Sequence, residues 1–281
     1  MIRALLLALL LPLGAAAAER VAIAGGDLTE IAFALGAGDQ VIAVDTTSTY
    51  PEAATALPQL GYFRRLAAEG VLSVAPDLLL VSPGAGPSAA LAQIEAAGVA
   101  VARAPDIEGP EGIGPKIRFV GAALGRGAEA ERLAAAVEAD LAAVAARVAR
   151  LAARPRVLFI LAFQNGLPLV GGEGTSADAI IRLAGAENAA AGAEGWKPMS
   201  REALIAAAPE AILMMTGRAH ATDGMAATLA LPELSATPAG RAGRGFEMDG
   251  NLLLNFGPRT AEAAARLARL VHGAAAEAAG L

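Results

Sequence analysis

A nine-residue motif occurs twice in this chain, once in each half. Glu69 begins the segment EGVLSVAPD and Glu202 begins EALIAAAPE, so each glutamate stands seven residues before a proline. Apolar residues follow both copies, at Leu78–Val81 and Ala211–Met215. A repeated unit of helix and strand predicts two similar α/β lobes. Chance similarity between alanine-rich helices is the alternative.

Short apolar runs alternate with amphipathic stretches in the first half of the chain. This alternation is typical of a mostly parallel sheet covered by helices. Helices are predicted at 28–35 and 91–97. Strands are predicted at Val21–Ala24, Val41–Val44, 78–82 and 99–102.

A long stretch without glycine or proline separates the two halves. From Gly127 to Ala153, apolar residues recur at alternating spacings of three and four, which predicts one amphipathic helix that ends before Pro155. We therefore expect an N-terminal lobe over residues 19–125, an interlobe helix over 126–154 and a C-terminal lobe over 155–281.

The first eighteen residues resemble a secretory signal. They carry Arg3, continue as an apolar run to Leu13 and end in small residues, a pattern that predicts a cleavable signal peptide too short to span a bilayer. An uncleaved anchor is the alternative. The sequence has no cysteine to which a lipid could be attached, so we expect a periplasmic protein without a lipid anchor.

Composition excludes several classes of function. A net charge of −6 and the absence of a Lys/Arg cluster argue against nucleic-acid binding. The lack of cysteine excludes disulfides, iron–sulfur ligation and thiol nucleophiles, and two histidines are too few for a zinc cage. No motif commits the chain to catalysis, although a secreted α/β enzyme stays the alternative of a different class.

One loop carries unusual chemistry, in the segment LPQLGYFRRL at 57–66. Tyr62 is one of only two tyrosines and follows a proline and a glycine. A phenolate oxygen can hold ferric haem axially, and Arg64 and Arg65 beside it would favour the ionised form. From the residues alone, a buried tyrosine beside two surface arginines is the other interpretation.

The chain resembles the periplasmic haem-binding proteins of ABC-type haem importers, within the cobalamin and siderophore binding-protein class. The resemblance covers essentially all of the mature chain and is carried most specifically by residues 57–80, 174–213 and 229–260. It implies an α/β fold of two similar Rossmann-like lobes joined by one long rigid helix, as in class III periplasmic binding proteins. It also implies that ferric haem is captured between the lobes and passed to an inner-membrane importer.

The resemblance assigns roles to individual residues. The family's Gly-Tyr-x-Arg motif falls on Tyr62, as axial haem ligand, and on Arg64. Arg218 is the candidate for a second arginine that meets the phenolate. His220 is either a further ligand or an ordinary loop histidine, and we expect His272 to be structural.

Aromatic residues near the predicted cleft leave alternatives open. Trp196 stands where the family has tyrosine; it either covers the porphyrin edge while Lys197 meets a propionate, or packs within its lobe. Tyr50 either rims the cleft or serves the start of a helix.

The resemblance also implies partners. In this class an acidic residue on each lobe docks onto arginines of the two permease subunits, and the repeat places Glu69 and Glu202 at the matching positions. Two glutamates that only begin helices are the alternative. We expect a monomer that works with a permease dimer and its ATPase; a siderophore or cobalamin carrier of the same fold is the alternative function.

Overall fold

The N-terminal lobe is built on a four-stranded parallel sheet. The computed structural model describes residues 18–107, 109–216 and 224–281. The strand order is β2-β1-β3-β4, and all neighbours are parallel. The strands are β1 (Val21–Ala24), β2 (Val41–Val44), β3 (Leu78–Val81) and β4 (Ala100–Arg103). Each end of each strand lies within one residue of its predicted position.

Both faces of this sheet are covered by helices. The first six helices among the described residues are α1 (Gly26–Ala34), α2 (Glu52–Thr55), α3 (Ala68–Ser73), α4 (Ser88–Ala96), α5 (Ile113–Ala123) and α6 (Gly127–Val148). Alternate residues of β1 join different apolar clusters, because successive side chains of a strand point to opposite faces. Val21 and Ile23 pack with α1, α5 and α6, whereas Ala22 and Ala24 pack with α3 and α4.

The helix α6 is the long helix that the sequence predicts, although it ends five residues early. It was expected to continue to Ala153, but the helix ends at Val148 and Leu151 turns into the core. Pro155 disfavours a helical conformation in Arg154, which directly precedes it, and so limits how far the helix could have continued. The guanidinium of Arg154 donates to the carbonyls of Leu151 and Ala153 in the segment after the helix.

Close packing joins α6 to α5. A Cβ on Gly121 would lie 2.3 Å from the Cβ of Ala130, so the glycine allows the two backbones to approach. On the solvent side, Arg118 forms ion pairs with Glu131 and Glu138, at 2.9 and 3.3 Å. The two helices are therefore joined by close packing and by ion pairs.

The C-terminal lobe has a mixed sheet. Its main path is β10-β9-β5-β6-β8, with β7 paired to β5. The strands are β5 (Arg156–Gln164), β6 (Leu167–Gly171), β7 (Glu187–Asn188), β8 (Trp196–Pro198), β9 (Ala211–Met215) and β10 (Gly245–Met248). The strands β5, β9 and β10 are parallel, as the repeat predicts, whereas β6 is antiparallel to both β5 and β8.

The antiparallel part arises from a tight hairpin that the repeat does not predict. Asn165 and Gly166 join β5 to β6 and have φ angles of 51° and 78°. Positive φ at both central residues of a two-residue loop matches the twist of a β-hairpin, and Asn-Gly is the sequence most suited to it. The C-terminal lobe is thus the common α/β unit with a hairpin inserted.

Eight further helices lie in the described part of the C-terminal half. They are α7 (Ser176–Leu183), α8 (Arg201–Ala207), α9 (Met225–Ala230), α10 (Pro232–Ser235), α11 (Pro238–Ala242), α12 (Gly250–Leu254), α13 (Thr260–His272) and α14 (Ala274–Ala278). Residues of α7, α12 and α13 share one buried cluster with α1, α5 and α6. The largest apolar core therefore extends through both lobes. Among the described residues, none of the helices combines the length and the hydropathy of a bilayer-spanning segment.

The two copies of the repeat adopt the same unusual backbone. Ala75 and Ala208, each directly before the proline, have φ angles of 47° and 45°. A left-handed conformation is rare for a residue with a Cβ, so its occurrence at both positions supports a common design.

Matched arginines brace the two copies. Arg20 and Arg156 stand at the start of the first strand of each lobe. Arg20 donates to the carbonyls of Val74 and Ala75 after α3, and Arg156 donates to that of Ala207 at the end of α8. Basic side chains that bind the last carbonyls of a helix stabilise its C-terminus. The repeat is therefore visible in side-chain contacts as well as in the sequence.

His272 fastens the end of α13 to the end of α7, in keeping with the structural role expected for it. Its Nε2 lies 3.1 Å from the carbonyl oxygen of Ala184. Burial lowers the pKa of His272, and the nearby Arg154 and Arg244 act in the same direction. A lowered pKa means that the unfolded chain binds the proton more readily, so this group favours folding less as the pH falls below the ordinary histidine value.

We expect a larger loss of stability on acidification in the unmutated protein than in His272→Gln, which can donate to the same carbonyl but does not titrate. The measurement is the urea midpoint of both proteins at pH 7.5 and pH 5.5. Equal losses in the two proteins would show that His272 remains neutral, or titrates equally, in both states.

Candidate functional site

A cavity of about 280 Å³ lies between the two lobes. From the N-terminal lobe it is lined by residues that directly follow strands, including Gly25 after β1 and Ser82 after β3. The C-terminal lobe contributes Thr175 before α7, Trp196 on β8 and Asn255 after α12. Ligands of open α/β sheets bind at the carboxyl ends of the strands, which is where this cavity lies.

The loop that carries Tyr62 runs alongside the end of β2. The amide of Val44 donates to Pro58, and that of Leu60 donates to Val44. Gly61 then takes a φ of 84°, in the left-handed region that glycine reaches without strain. Tyr62 is extended and is followed by a 3₁₀ turn over Phe63–Arg65. The turn places consecutive side chains on different sides of the loop.

Tyr62 lies on the rim of the cavity and not in its lining. Its side chain is 38% exposed, and its ring meets that of Phe63 edge to face at a centroid distance of 5.0 Å. Phe63 and Arg64, the next two residues, do line the cavity. Among the described residues, no side chain forms a hydrogen bond with the Tyr62 hydroxyl. The phenol is therefore available at the mouth of the cleft.

The two arginines after Tyr62 take different places. Arg64 reaches the cavity with its guanidinium carbon 5.1 Å from the centroid of the Phe63 ring. Arg65 lies over the ring of Tyr62, at 5.9 Å. Arg65 is therefore the arginine that contacts the Tyr62 ring, whereas Arg64 contacts Phe63 and the cavity.

Trp196 reaches the cavity, whereas Lys197 does not. Trp196 lines the cavity, is 38% exposed and contacts Phe159 edge to face at 5.8 Å. Lys197 follows it on β8, is exposed and is absent from the cavity lining. Successive side chains of a strand point to opposite faces, so the two are not brought to one surface. The packing role and the ligand-facing role of Trp196 are compatible in this position.

The structure leaves two of the remaining candidates undescribed and places the third outside the cavity. Arg218 and His220 fall in the segment 217–223, outside the described residues. Tyr50 is stacked against the guanidinium of Arg259 at 3.5 Å and does not line the cavity. Arg259 also pairs with Glu30 of α1, at 2.8 Å, so this cluster joins the two lobes.

A buried ionic cluster that sequence reasoning missed forms the floor of the cavity. The Lys116 ammonium lies 2.5 Å from Asp27 Oδ2, and the Ser82 hydroxyl donates to Asp27 Oδ1 at the same distance. Lys116 also donates to the carbonyls of Asn255 and Phe256, at 3.1 and 3.2 Å. All three donors of the ammonium are therefore used, and two of them cross to the C-terminal lobe.

One sequence signal could have indicated this cluster. Lys116 is one of two lysines in the chain and stands in the apolar segment GIGPKIRFVG. It is only 7% exposed, and Asp27 is 6% exposed. A buried lysine requires a buried carboxylate, but nothing local in the sequence says which carboxylate that is.

The repeated glutamates occupy equivalent, exposed positions. Glu69 is the second residue of α3, and Glu202 is the second residue of α8. Hydrogen bonds at the start of α8, from its own backbone first and from Ser200 next, lower the pKa of Glu202. Each lobe thus presents one acidic side chain at the start of a matched helix.

Two α/β lobes that share a helical connection and face each other across a cleft form the architecture of class III periplasmic binding proteins. The family model described as periplasmic binding protein matches residues 21–252. The chain belongs to this family, and the fold class expected from the sequence is confirmed.

Solved structures of haem-binding proteins are similar along nearly the whole chain. The periplasmic haem-binding protein RhuT of Roseiflexus sp. RS-1, in its apo form, has a TM-score of 0.88 and 43% identity, and the match covers 92% of this chain and 99% of that one. BhuT in complex with two haems has a TM-score of 0.86 and 43% identity, with 91% and 98% covered. A periplasmic haem-binding protein of Pseudomonas aeruginosa has a TM-score of 0.82 and 35% identity, with 90% and 92% covered.

Curated relatives are more distant or match only in part. The ABC transporter substrate-binding lipoprotein YvrC of Bacillus subtilis is 28% identical over 251 residues, 87% of this chain and 77% of its own. The vitamin B12-binding protein of Yersinia pestis is 40% identical over 98 residues, about 35% of each chain. The resemblance to periplasmic haem-binding proteins is thus confirmed over the greater length.

We expect Lys116→Met to lower the free energy of unfolding by about 3 kcal/mol, because it leaves the Asp27 carboxylate buried without its cation. The double variant Asp27→Asn/Lys116→Met should recover part of this loss, since it removes the buried charge. Urea denaturation followed by circular dichroism measures both.

Lys197→Met is the matched control, because its lysine is exposed, and it should change the free energy of unfolding by less than about 0.5 kcal/mol. A loss below about 1 kcal/mol for Lys116→Met, or no recovery in the double variant, would contradict the ionic cluster.

Proposed function

We propose that this protein binds ferric haem between its lobes and delivers it to an ABC importer of the inner membrane. The observation that carries the proposal is the available phenol of Tyr62 at the mouth of the cleft. The chain around it is 43% identical in sequence to a haem-binding protein, in a match that covers 92% of its length. The ligand is cargo that enters and leaves unchanged.

The residues around the cleft suit a flat apolar ligand that carries acidic groups. Phe63, Ile107 and Trp196 supply apolar surface, and Ile107 is 46% exposed despite its size. In this proposal the Tyr62 oxygen binds the ferric iron, and Arg64 and Arg65 balance the negative charge of the phenolate. Trp196 covers the edge of the ring system.

Other assigned residues keep the roles that the resemblance implies. Arg218 is the proposed second arginine near the phenolate, and residues 19–125, 126–154 and 155–281 are the proposed N-terminal lobe, interlobe helix and C-terminal lobe. We propose no propionate contact for Lys197, because its side chain is exposed and absent from the cavity lining.

We propose no catalytic role for the polar residues of the cleft. Ser82 and Lys116 are each 7% exposed, and both are hydrogen-bonded to Asp27. A hydroxyl whose proton is held by a buried carboxylate, next to an ammonium with three acceptors, is arranged for structure. Binding and release therefore account for the site.

For localisation we propose secretion to the periplasm with removal of residues 1–18. The family is periplasmic, and the relative from Bacillus subtilis is a lipoprotein. Because these 281 residues include no cysteine, a cleaved signal without lipid attachment suits this sequence better than an anchor of that kind.

We propose that this protein is a monomer and that its partners are a permease dimer and the ATPase of that permease. The matched glutamates support this, because Glu69 and Glu202 stand on equivalent helices that are braced by equivalent arginines. Charged groups on a rim accelerate association and define orientation more than they add affinity. One acidic contact on each lobe would address one subunit of a symmetric permease.

A corrinoid is the second candidate ligand, because the vitamin B12-binding protein of Yersinia pestis matches 98 residues at 40% identity. Binding of cobalamin does not require a phenolate beside two arginines. Competition between haemin and cobalamin for the purified protein separates the two ligands.

We expect haemin to saturate the mature chain with the absorbance spectrum of a ferric, oxygen-ligated haem, and Tyr62→Phe to weaken binding by at least about tenfold, or 1.4 kcal/mol. Phenylalanine keeps the ring against Phe63 and removes only the oxygen. The measurement is a titration followed by absorbance.

Tyr50→Phe is the matched control, because Tyr50 is the other tyrosine of the chain and its ring packs on Arg259 away from the cavity. It should leave the spectrum and the affinity unchanged. Failure of the unmutated protein to bind haemin saturably would refute the function, and normal binding by Tyr62→Phe would refute the ligand assignment.

We expect the double variant Glu69→Arg/Glu202→Arg to bind haemin normally but to reduce the stimulation of importer ATPase activity by at least about tenfold, with the largest effect at low salt. The assay uses proteoliposomes that hold the cognate importer. Glu277→Arg, at an exposed position of α14, controls for charge reversal alone. Equal loss in the control and the double variant would contradict docking through the repeated glutamates.

A further inference from the structure

The carboxylate of Asp45 lies directly after β2 and is completely buried. Its oxygens accept hydrogen bonds from five donors. The three donors of its own turn are the amide and hydroxyl of Thr47, at 3.1 and 2.9 Å, and the hydroxyl of Ser48, at 3.0 Å. The other two are backbone amides from distant parts of the lobe: Gly25 at 3.1 Å and Phe63 at 3.3 Å.

The two distant donors belong to the cleft. Gly25 lines the cavity at the start of α1, and Phe63 lines it in the turn after Tyr62. Asp45 therefore connects the floor of the cleft to the loop on its rim. Gly25 and Phe63 stand 20 and 18 residues from Asp45 in the sequence, and both donate to this one carboxylate.

The residues on both sides of Tyr62 are hydrogen-bonded to the short segment of Asp45 and Thr46. The amide of Thr46 donates to the carbonyl of Gly61, just before Tyr62, at 3.0 Å. The amide of Phe63, just after Tyr62, donates to Asp45. The backbone is therefore held on both sides of Tyr62, and Asp45 holds it on the Phe63 side.

The carboxylate is held by neutral groups alone. Within the described residues, Asp45 has no ion-pair partner, and burial raises its pKa while the hydrogen bonds from Thr47, Ser48 and Phe63 oppose that rise. An ionised group buried without a cation is costly. An asparagine would avoid the charge, but its amide nitrogen would face donors where an acceptor is needed.

We infer that Asp45 is a positioning residue for the proposed haem ligand Tyr62, acting through the amide of Phe63. The inference rests on the proposed function. Under this inference Asp45, which lies outside the ligand loop, aligns the phenol with the iron.

The first test compares Asp45→Asn with Asp178→Asn. Asp178 is also a buried carboxylate, 6% exposed, but it lies in α7 and bonds to Arg182 and Asn188 outside the cavity. We expect both variants to lower the melting temperature. Only Asp45→Asn should increase haem dissociation, by at least about tenfold, and shift the ligand-to-metal absorbance. Equal dissociation rates in the two variants would overturn the inference.

The second test remains decisive if Asp45→Asn does not fold. Phe63→Ala and Phe63→Pro both remove the ring, but only proline removes the amide that donates to Asp45. The backbone accommodates proline here, because Phe63 begins a 3₁₀ turn and Tyr62 has φ −81° and ψ 129°, the extended conformation preferred before proline. We expect haem to dissociate at least about fivefold faster from Phe63→Pro than from Phe63→Ala; equal rates would overturn the inference.

A third measurement separates this inference from the proposed function. Amide hydrogen exchange of residues 61–66 in the ligand-free protein should be faster in Asp45→Asn or Phe63→Pro than in their controls. Unchanged exchange would refute the hold of Asp45 on the loop even if haem binds through Tyr62. If exchange is faster but haemin does not bind, the proposed function fails and Asp45 is only a loop anchor.

Discussion

One buried ammonium group bonds to both lobes at once. Lys116 on α5 has three hydrogen-bond donors, and they go to Asp27 of the N-terminal lobe and to the carbonyls of Asn255 and Phe256 after α12. A buried cation that lost any of these acceptors would be destabilised. Phe256 takes a φ of 50° in this loop, and three residues further on Arg259 pairs with Glu30. The segment from Asn255 to Arg259 is therefore held against the N-terminal lobe at both ends.

The internal repeat explains why both lobes show the same local chemistry at their outer helices. Each lobe ends a short helix with a left-handed alanine before proline, and each directs an arginine from the start of its first strand onto the last carbonyls of that helix. These contacts preserve the position of α3 and α8 relative to the sheets. The sheets of the two lobes differ where the hairpin at Asn165 and Gly166 adds antiparallel strands, and that hairpin brings Trp196 to the cleft through β8.

Local pattern was sufficient to predict the parallel strands, the position of α6 and the loop of Tyr62. Apolar runs, helical spacing and the Gly-Tyr-x-Arg segment can all be read within a few residues. The ionic cluster could not be read in this way, because Lys116 meets partners 89 and 139 residues distant in sequence. In the sequence, Asp45 is an ordinary turn residue after a strand. Lys197 is adjacent to Trp196 in the sequence, but successive side chains of β8 point to opposite faces. The Asn-Gly pair is itself a hairpin signal, whereas the repeat predicts only parallel strands.

Asp27 and Asp45 illustrate two ways to maintain the same cleft. Asp27 balances its charge with Lys116 and thereby joins the lobes, whereas Asp45 accepts five neutral hydrogen bonds and orders one lobe. Both bury charge at a cost to stability, and both hold the cleft in shape before any ligand arrives. A preorganised cleft binds more tightly, because the ligand does not have to order it. The same rigidity opposes release, so under the proposed function the importer must act on the lobes to free the cargo. Glu69 and Glu202 lie on separate lobes, so a partner that held both could strain the contacts of Lys116 and Arg259 that keep the lobes together.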